Sequence, residues 1–181
     1  MIATLSEKPK SSELAGKYLT FCLGAETYGI PVLKVLEIIQ QPIRTAMPLM
    51  PTYIKGVINL RGKIISVVGL RLKFGLDADD SSERACTVVV LVARADGSRH
   101  SMGILVDGVE EVTHITEHEI EETPDFGAQI DTAYILGMAK IKGVVKSLID
   151  IDKALTAEIA QLPANGSSWD QQRFCSVADR R

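Results

Sequence analysis

The chain has 181 residues, 46% hydrophobic, 24% charged and 5% aromatic, with a formal net charge of −3 and a pI near 5.6. This is the balance of a globular protein with a real core, and it offers neither the basic face nor the aromatic platform that nucleic acid requires. The N-terminal MIATLSEKPKSSELAGK is charged throughout, and no stretch reaches the roughly 18 uninterrupted apolar residues of a spanning helix, so neither a signal peptide nor direct membrane insertion is expected.

Residues 1–16 are expected to form a flexible N-terminus. In YLTFCLG, Leu19, Phe21 and Leu23 alternate with Tyr18, Thr20 and Cys22, as in a half-buried strand. In VLEII, Val35, Leu36, Ile38 and Ile39 are broken only by Glu37, so both faces carry apolar side chains. One face meets a core; the other needs a second unit of this chain or another protein. KGVINLRGKI, residues 55–64, places Asn59, Leu60 and Arg61 between two β-branched runs, with glycines at Gly56 and Gly62. RLKFGL suggests a turn of helix, and the acidic 77–84, DADDSSER, reads as a linker.

TVVVLVA then runs into Ala95-Asp96-Gly97-Ser98, a tight-turn signal, so SMGILV should return antiparallel. Asp107-Gly108 punctuates the chain before VEEVTHI, and Lys142-Gly143 joins YILGMAKI to VVKSLIDI. Asp152 can cap a helix carrying Leu155, Ile159 and Leu162, which Pro163 ends; the polar remainder looks like a disordered tail. Short strands at regular spacing predict an all-β sandwich or barrel. The expected division is a first β-barrel subdomain at 17–76, the linker at 77–84, a second subdomain at 85–151, a C-terminal helix at 152–162 and the tail at 163–181.

An internal repeat supports two units. An offset of 74 residues lays YGIPVLKVLEII over MGILVDGVEEVT, matching Gly29 with Gly103 and Glu37 with Glu111. An offset of 81 lays YIKGVINLRGKIISVVG over YILGMAKIKGVVKSLID, with Arg61 meeting Lys142 and Gly69 meeting Asp150. Two matches in the same order with nearly equal offsets describe two similar β units.

Catalytic and cofactor signals are sparse. There is no Gly-rich phosphate loop, GxSxG elbow or HExxH. His114 and His118 are four apart, but Thr113, Ile115 and Thr116 favour an extended chain that would separate them. Asp77, Asp79, Ser81 and Glu83 alternate like calcium ligands without the glycine and glutamate such a loop needs. Cys22, Cys86 and Cys175 read as reduced thiols. No metal or cofactor is expected, and a small hydrolase or metal-dependent enzyme, the competing class, would need a constellation that these residues do not supply.

Together, YGIPVLKVLEI, IKGVINLRGKIISVVGLRLKFG, GILVDGV and YILGM…LIDIDKAL closely resemble the CheW family of bacterial chemotaxis coupling proteins, over about residues 17–156. The resemblance implies two SH3-like five-stranded β-barrels around a shared apolar core, a short C-terminal helix and no catalytic activity. It implies an adaptor linking the cytoplasmic tips of methyl-accepting chemoreceptors to the regulatory domain of the histidine kinase CheA. Such an adaptor is cytoplasmic and recruited to membrane-bound receptor arrays, with copies of itself as further partners in array rings. By family likeness Val35, Glu37 and Arg61 belong to the interaction face, Ile64, Val89 and Val106 are its apolar neighbours, and Gly56 and Gly62 permit the backbone bends around it. Arg61 should stand at a turn and pair with Glu37. The chain departs from the family's usual I-x-P-V-V-D-L-R at Ser66 and Gly69, and Lys146 and Ser147 fall where aliphatic residues are common. An adaptor of a related surface-motility or biofilm pathway fits the same residues.

Overall fold

The computed structural model describes residues 10–77, 82–124 and 133–156. Its strands are β1 (Gly16–Leu23), β2 (Glu26–Pro31), β3 (Val35–Gln40), β4 (Ile54–Leu60), β5 (Lys63–Gly69), β6 (Cys86–Ala93), β7 (Arg99–Val106), β8 (Gly108–Ile115), β9 (Ile120–Glu121), β10 (Ile135–Ile141) and β11 (Val144–Ile149). The α-helices among these residues are short: α1 (Ser11–Leu14), α2 (Leu70–Lys73) and α3 (Ile151–Ala154). The predicted hairpins form. β6 and β7 pair antiparallel around Asp96-Gly97, where Asp96 accepts from the Ser98 backbone N–H at 2.8 Å and Gly97 takes φ +85. The thiols of Cys22 and Cys86 are free, and burial pushes both up from their ordinary pKa; Cys175 lies outside the described residues.

The strands form two sheets, one in the order β3-β6-β7-β5-β4 and the other β8-β1-β2-β11-β10-β9. These sheets are the two copies of the repeat, matched residue by residue. Val67 opposes Gly103 in the parallel β5–β7 pair, and Leu148 opposes Gly29 in the parallel β11–β2 pair, at the offsets of 81 and 74. The β-bulge between Ile54 and Gly56 recurs between Ile135 and Gly137. The bond from the Gly69 N–H to the Tyr53 carbonyl recurs, at the same 2.7 Å, from Asp150 to Tyr134.

The units are not the two halves of the chain. β5 and β6, the strands on either side of 77–84 in the chain, belong to one sheet, while β1 and β2 join β8–β11 in the other. One barrel is thus the continuous run β3–β7, inserted between the β1–β2 hairpin and the remainder of its partner barrel. Connection length is the physical reason. In this strand order the position that β2 would fill is that of β7, parallel to β3 with β6 between them, and parallel strands of one sheet need a crossover of about a dozen residues. Only the 3₁₀ turn Val32–Lys34 separates β2 from β3. The chain therefore steps across to the second sheet, and it steps back through Asp107 alone.

Three apolar clusters follow from this layout. Ile58, Ile65, Val67 and Val89, with Ile39, Leu60 and Leu105, draw on all five strands of the β3–β7 sheet and fill its barrel. Leu14, Tyr18, Ile115, Ile120, Ala139, Ile141 and Leu148 fill the other. The largest cluster, including Phe21, Leu23, Ile30, Val88, Val90, Met102, Ile104, Ile149 and Leu155, lies between the barrels and is their shared core.

The C-terminal helix begins earlier than expected. Asp150, not Asp152, is the N-cap of α3, accepting from the backbone N–H groups of Asp152 and Lys153 at 3.1 and 3.2 Å. Ile159 and Leu162, expected on the same helix, lie outside the described residues. At the equivalent start of α2, Gly69 has no side chain to offer, and that end is uncapped. The Lys146 departure is also accounted for: its buried stem ends in an ammonium 3.2 Å from the Glu110 carboxylate.

Candidate functional site

The site grows from two glycine positions. At Gly56 φ is +120, and a Cβ would stand 2.3 Å from the Thr45 carbonyl oxygen. Glycine lets the incoming segment lie against β4, where Thr45 and Val57 exchange two 2.9 Å backbone hydrogen bonds. At the far end of β4, Arg61 and Gly62 form the tip of the hairpin, with φ +52 and +84. Positive φ at both tip residues matches the right-handed twist of the flanking strands. The Asn59 Oδ1 accepts from the Gly62 N–H at 2.9 Å and fixes the turn.

That turn aims Arg61 outward, where its Nη2 lies 3.3 Å from the Glu37 carboxylate on β3. β3 and β4 are opposite edges of their sheet, so the pair spans the seam where the sheet curls closed. Arg61 is 81% exposed and Glu37 33%; a pair this open to water adds only about 0–1 kcal/mol to stability. Its value is directional, as a charged mark beside apolar surface.

The apolar surface comes from alternation along β3. Leu36 and Ile38 turn outward, 53% and 43% exposed, while Ile39 packs on the barrel interior. Ile64, the register partner of Asn59, is half-buried next to the turn, and Val35 is half-buried against the shared core. Val89 and Val106 sit elsewhere. Val89 opposes Glu37 in the register, but its side chain is fully buried inside the barrel. Val106 is buried in the shared core at the end of β7. A partner can touch neither side chain. Ile43, Met47, Leu49 and Met50 add exposed apolar surface on the segment before β4. Their signal was a run of large apolar residues among Pro42, Pro48 and Pro51, too irregular for the strand or helix period to pick out.

Among the described residues no group of three or more His, Cys, Asp or Glu side chains could hold a metal ion. His114 is on β8 and His118 in the 3₁₀ turn Glu117–Glu119, whose N-cap Thr116 forms a capping box with Glu119. Asp79 and Ser81 lie outside the described residues. No helix among those residues is long and apolar enough to cross a membrane.

An outward apolar strip and a solvent-open ion pair on the same edge strand, with no metal-binding cluster among the described residues, are features of a protein-binding scaffold. Residues 17–158 match the family model of the CheW-like domain. The chain is 36% identical over 159 residues to the chemotaxis protein CheW of Klebsiella aerogenes, covering 85% of this chain and 93% of that one. It is 32% identical over 126 residues to the chemotaxis protein CheW of Helicobacter pylori, covering 68% and 72%. The crystal structure of the scaffolding protein TtCheW from Thermoanaerobacter tengcongensis superposes with a TM-score of 0.68 at 33% identity, over 78% of this chain and 92% of that one. The chain belongs to the CheW-like family, and within it is a non-enzymatic chemotaxis scaffold.

Proposed function

We propose that this scaffold couples the cytoplasmic tips of methyl-accepting chemoreceptors to the regulatory domain of the histidine kinase CheA. It does so in the cytoplasm, at membrane-bound receptor arrays, with further copies of itself in array rings. The observation that carries the reading is the solvent-open Glu37–Arg61 pair on an edge strand whose other face turns Leu36 and Ile38 outward. Strand alternation would otherwise put polar residues there. In this reading Glu37, Arg61 and Ile64 meet a partner. Gly56 and Gly62 give the backbone its path, Val89 packs inside the barrel that carries the face, and Val35 and Val106 tie that barrel to the shared core.

An adaptor contributes geometry and no catalytic group, so its effect on the kinase requires a third component. Kinase autophosphorylation measured with this protein, a receptor signalling fragment and CheA should rise only when all three are present. Phosphoryl transfer by this protein alone, or equal stimulation without receptor, would sink the proposal.

A further inference from the structure

The chain crosses between the barrels twice, and each crossing is held by a carboxylate that also binds the backbone of a distant strand end. Asp107 is the whole connection from β7 to β8. Its Oδ2 accepts from the Gly24 N–H at 2.6 Å, in the β1–β2 turn of one barrel, and from the Arg71 guanidinium on α2 of the other. At the second crossing Lys34 ends the turn between β2 and β3, and its Nζ lies 2.7 Å from Asp152 on α3. The other oxygen of Asp152 accepts from the Ala93 N–H at 2.9 Å, at the end of β6 in the opposite barrel.

The helix residue and the strand-end N–H of each tie occupy equivalent places in the two copies of the repeat. Asp152 stands 81 residues after Arg71, and Ala93 stands 69 after Gly24, the offset that also carries β1 onto β6. The charges are inverted: the helix supplies the cation at one crossing and the anion at the other. In each case the strand-end N–H binds whichever partner is the carboxylate. Arg71 and Asp152, opposite in sign at equivalent sites, thus each bind a residue of the nearby crossing, Asp107 standing one position before Gly108, the equivalent of Lys34.

We propose that Asp107 and Asp152 are positioning residues that latch the two barrels at a fixed mutual angle. The shared core brings the barrels together, but apolar packing is non-directional and leaves sliding and rotation open. Charge-assisted hydrogen bonds fix both distance and direction. All four charged side chains are at least two-thirds buried, which limits screening by solvent. The latch would set how the β3–β5 face is oriented relative to Val112, Val144 and Val145, which are exposed on the other barrel. That consequence rests on the adaptor reading; the latch itself does not.

The test is the distribution of distances between spin labels at two equivalent exposed positions, Lys63→Cys on β5 and Val144→Cys on β11. The background carries Cys22→Ala, Cys86→Ala and Cys175→Ser. Asp107→Ala with Asp152→Ala should broaden the distribution about two-fold or more while circular dichroism shows the strand content retained. A distribution superimposable on the parent's would overturn the latch. If the double variant does not fold, Lys34→Gln with Arg71→Gln decides the question, because it removes the cations and leaves the carboxylates on their backbone donors. Broadening there, in protein of parent-like strand content, supports the latch; an unchanged width sinks it. The readout needs no partner, so its failure is distinct from failure of receptor–kinase coupling.

Discussion

The β4–β5 and β10–β11 hairpins share backbone and register but present different chemistry. Their tips are Arg61-Gly62 and Lys142-Gly143, with φ of +52 and +84 in one and +50 and +80 in the other. Behind the first tip, Ile65 is buried and its counterpart across the barrel, Leu36, faces outward. At the equivalent positions of the second barrel stand Lys146 and Glu110, joined as an ion pair. Turn chemistry and strand pairing therefore hold the repeat while the side chains mounted on it diverge. The first barrel keeps an apolar strip with one charged mark; the second spends the same positions on an ion pair buried only at its lysine. The candidate function lies in that divergence and not in the repeat.

The largest contrast should appear at the bulge glycines. A methyl group at Gly56 meets a backbone oxygen at 2.3 Å in a left-handed conformation, whereas at Gly137 the nearest contact is 3.2 Å. Gly56→Ala is expected to cost more than about 3 kcal/mol and Gly137→Ala roughly half that or less, because only the first combines backbone strain with an unyielding clash. Chemical denaturation of the two variants measures this. Equal losses would show that the two bulges bear the same constraint.

Next in size is the Lys146–Glu110 ion pair, buried at the lysine and open to solvent at the glutamate. Lys146→Ala leaves Glu110 without its cation and opens space in the barrel wall, with an expected loss of about 1–3 kcal/mol. Copying the first barrel, Lys146→Ile with Glu110→Leu, should return stability to within about 1 kcal/mol of the parent or above it, since replacing a buried charge together with its partner by apolar groups is often neutral. A double variant as unstable as Lys146→Ala would mean that the pair fixes local structure that aliphatic packing cannot replace.

The helix starts come third. Asp150→Ala removes a cap with two backbone donors and should cost about 1 kcal/mol. Gly69→Asp, which copies that cap into the first barrel, should gain nothing. A Cβ there stands 2.9 Å from Cε of Lys55, so displacing that chain offsets the new hydrogen bonds. A gain of about 1 kcal/mol would show that the Lys55 chain moves aside freely.

Local signals made the strands legible. Period-two alternation marked β1, the Asp-Gly and Lys-Gly pairs marked hairpins, and the two offsets marked equivalent segments. Which segments share a sheet was not legible from those offsets, because β1–β2 and β6–β7 have interchangeable registers. The deciding feature was present in the sequence as a distance: too few residues separate YGIP from VLEII for a crossover within one sheet. The Arg61–Glu37 contact follows the expected pairing. Val89 and Val106 do not reach the surface, because a continuous β-branched run such as TVVVLVA carries no periodicity to distinguish a barrel interior from an exposed face. The cap at Asp150 was missed because two acidic residues, Asp150 and Asp152, bracket the helix start, and only geometry assigns one to the backbone and the other to Lys34.

The smallest expected change in stability belongs to Arg61→Glu, and it sharpens the comparison most. Arg61 is a turn residue with a largely exposed side chain, so its reversal should move the unfolding midpoint by no more than about 1 kcal/mol. Lys142→Glu, the matching reversal on the second barrel, should behave alike in unfolding. The two should part in binding. Reversing a charge that becomes desolvated at an interface costs about 2–5 kcal/mol of affinity, so Arg61→Glu should abolish a weak coupling contact that Lys142→Glu leaves intact. The exchanged pair Glu37→Arg with Arg61→Glu separates two ways in which the arginine could act. Recovery of binding means that the pair shapes the face as a unit. Continued loss means that each side chain meets a partner group of its own. Parent-like binding by Arg61→Glu to both receptor and kinase would end the assignment of this face, and docking would then lie elsewhere on the barrels.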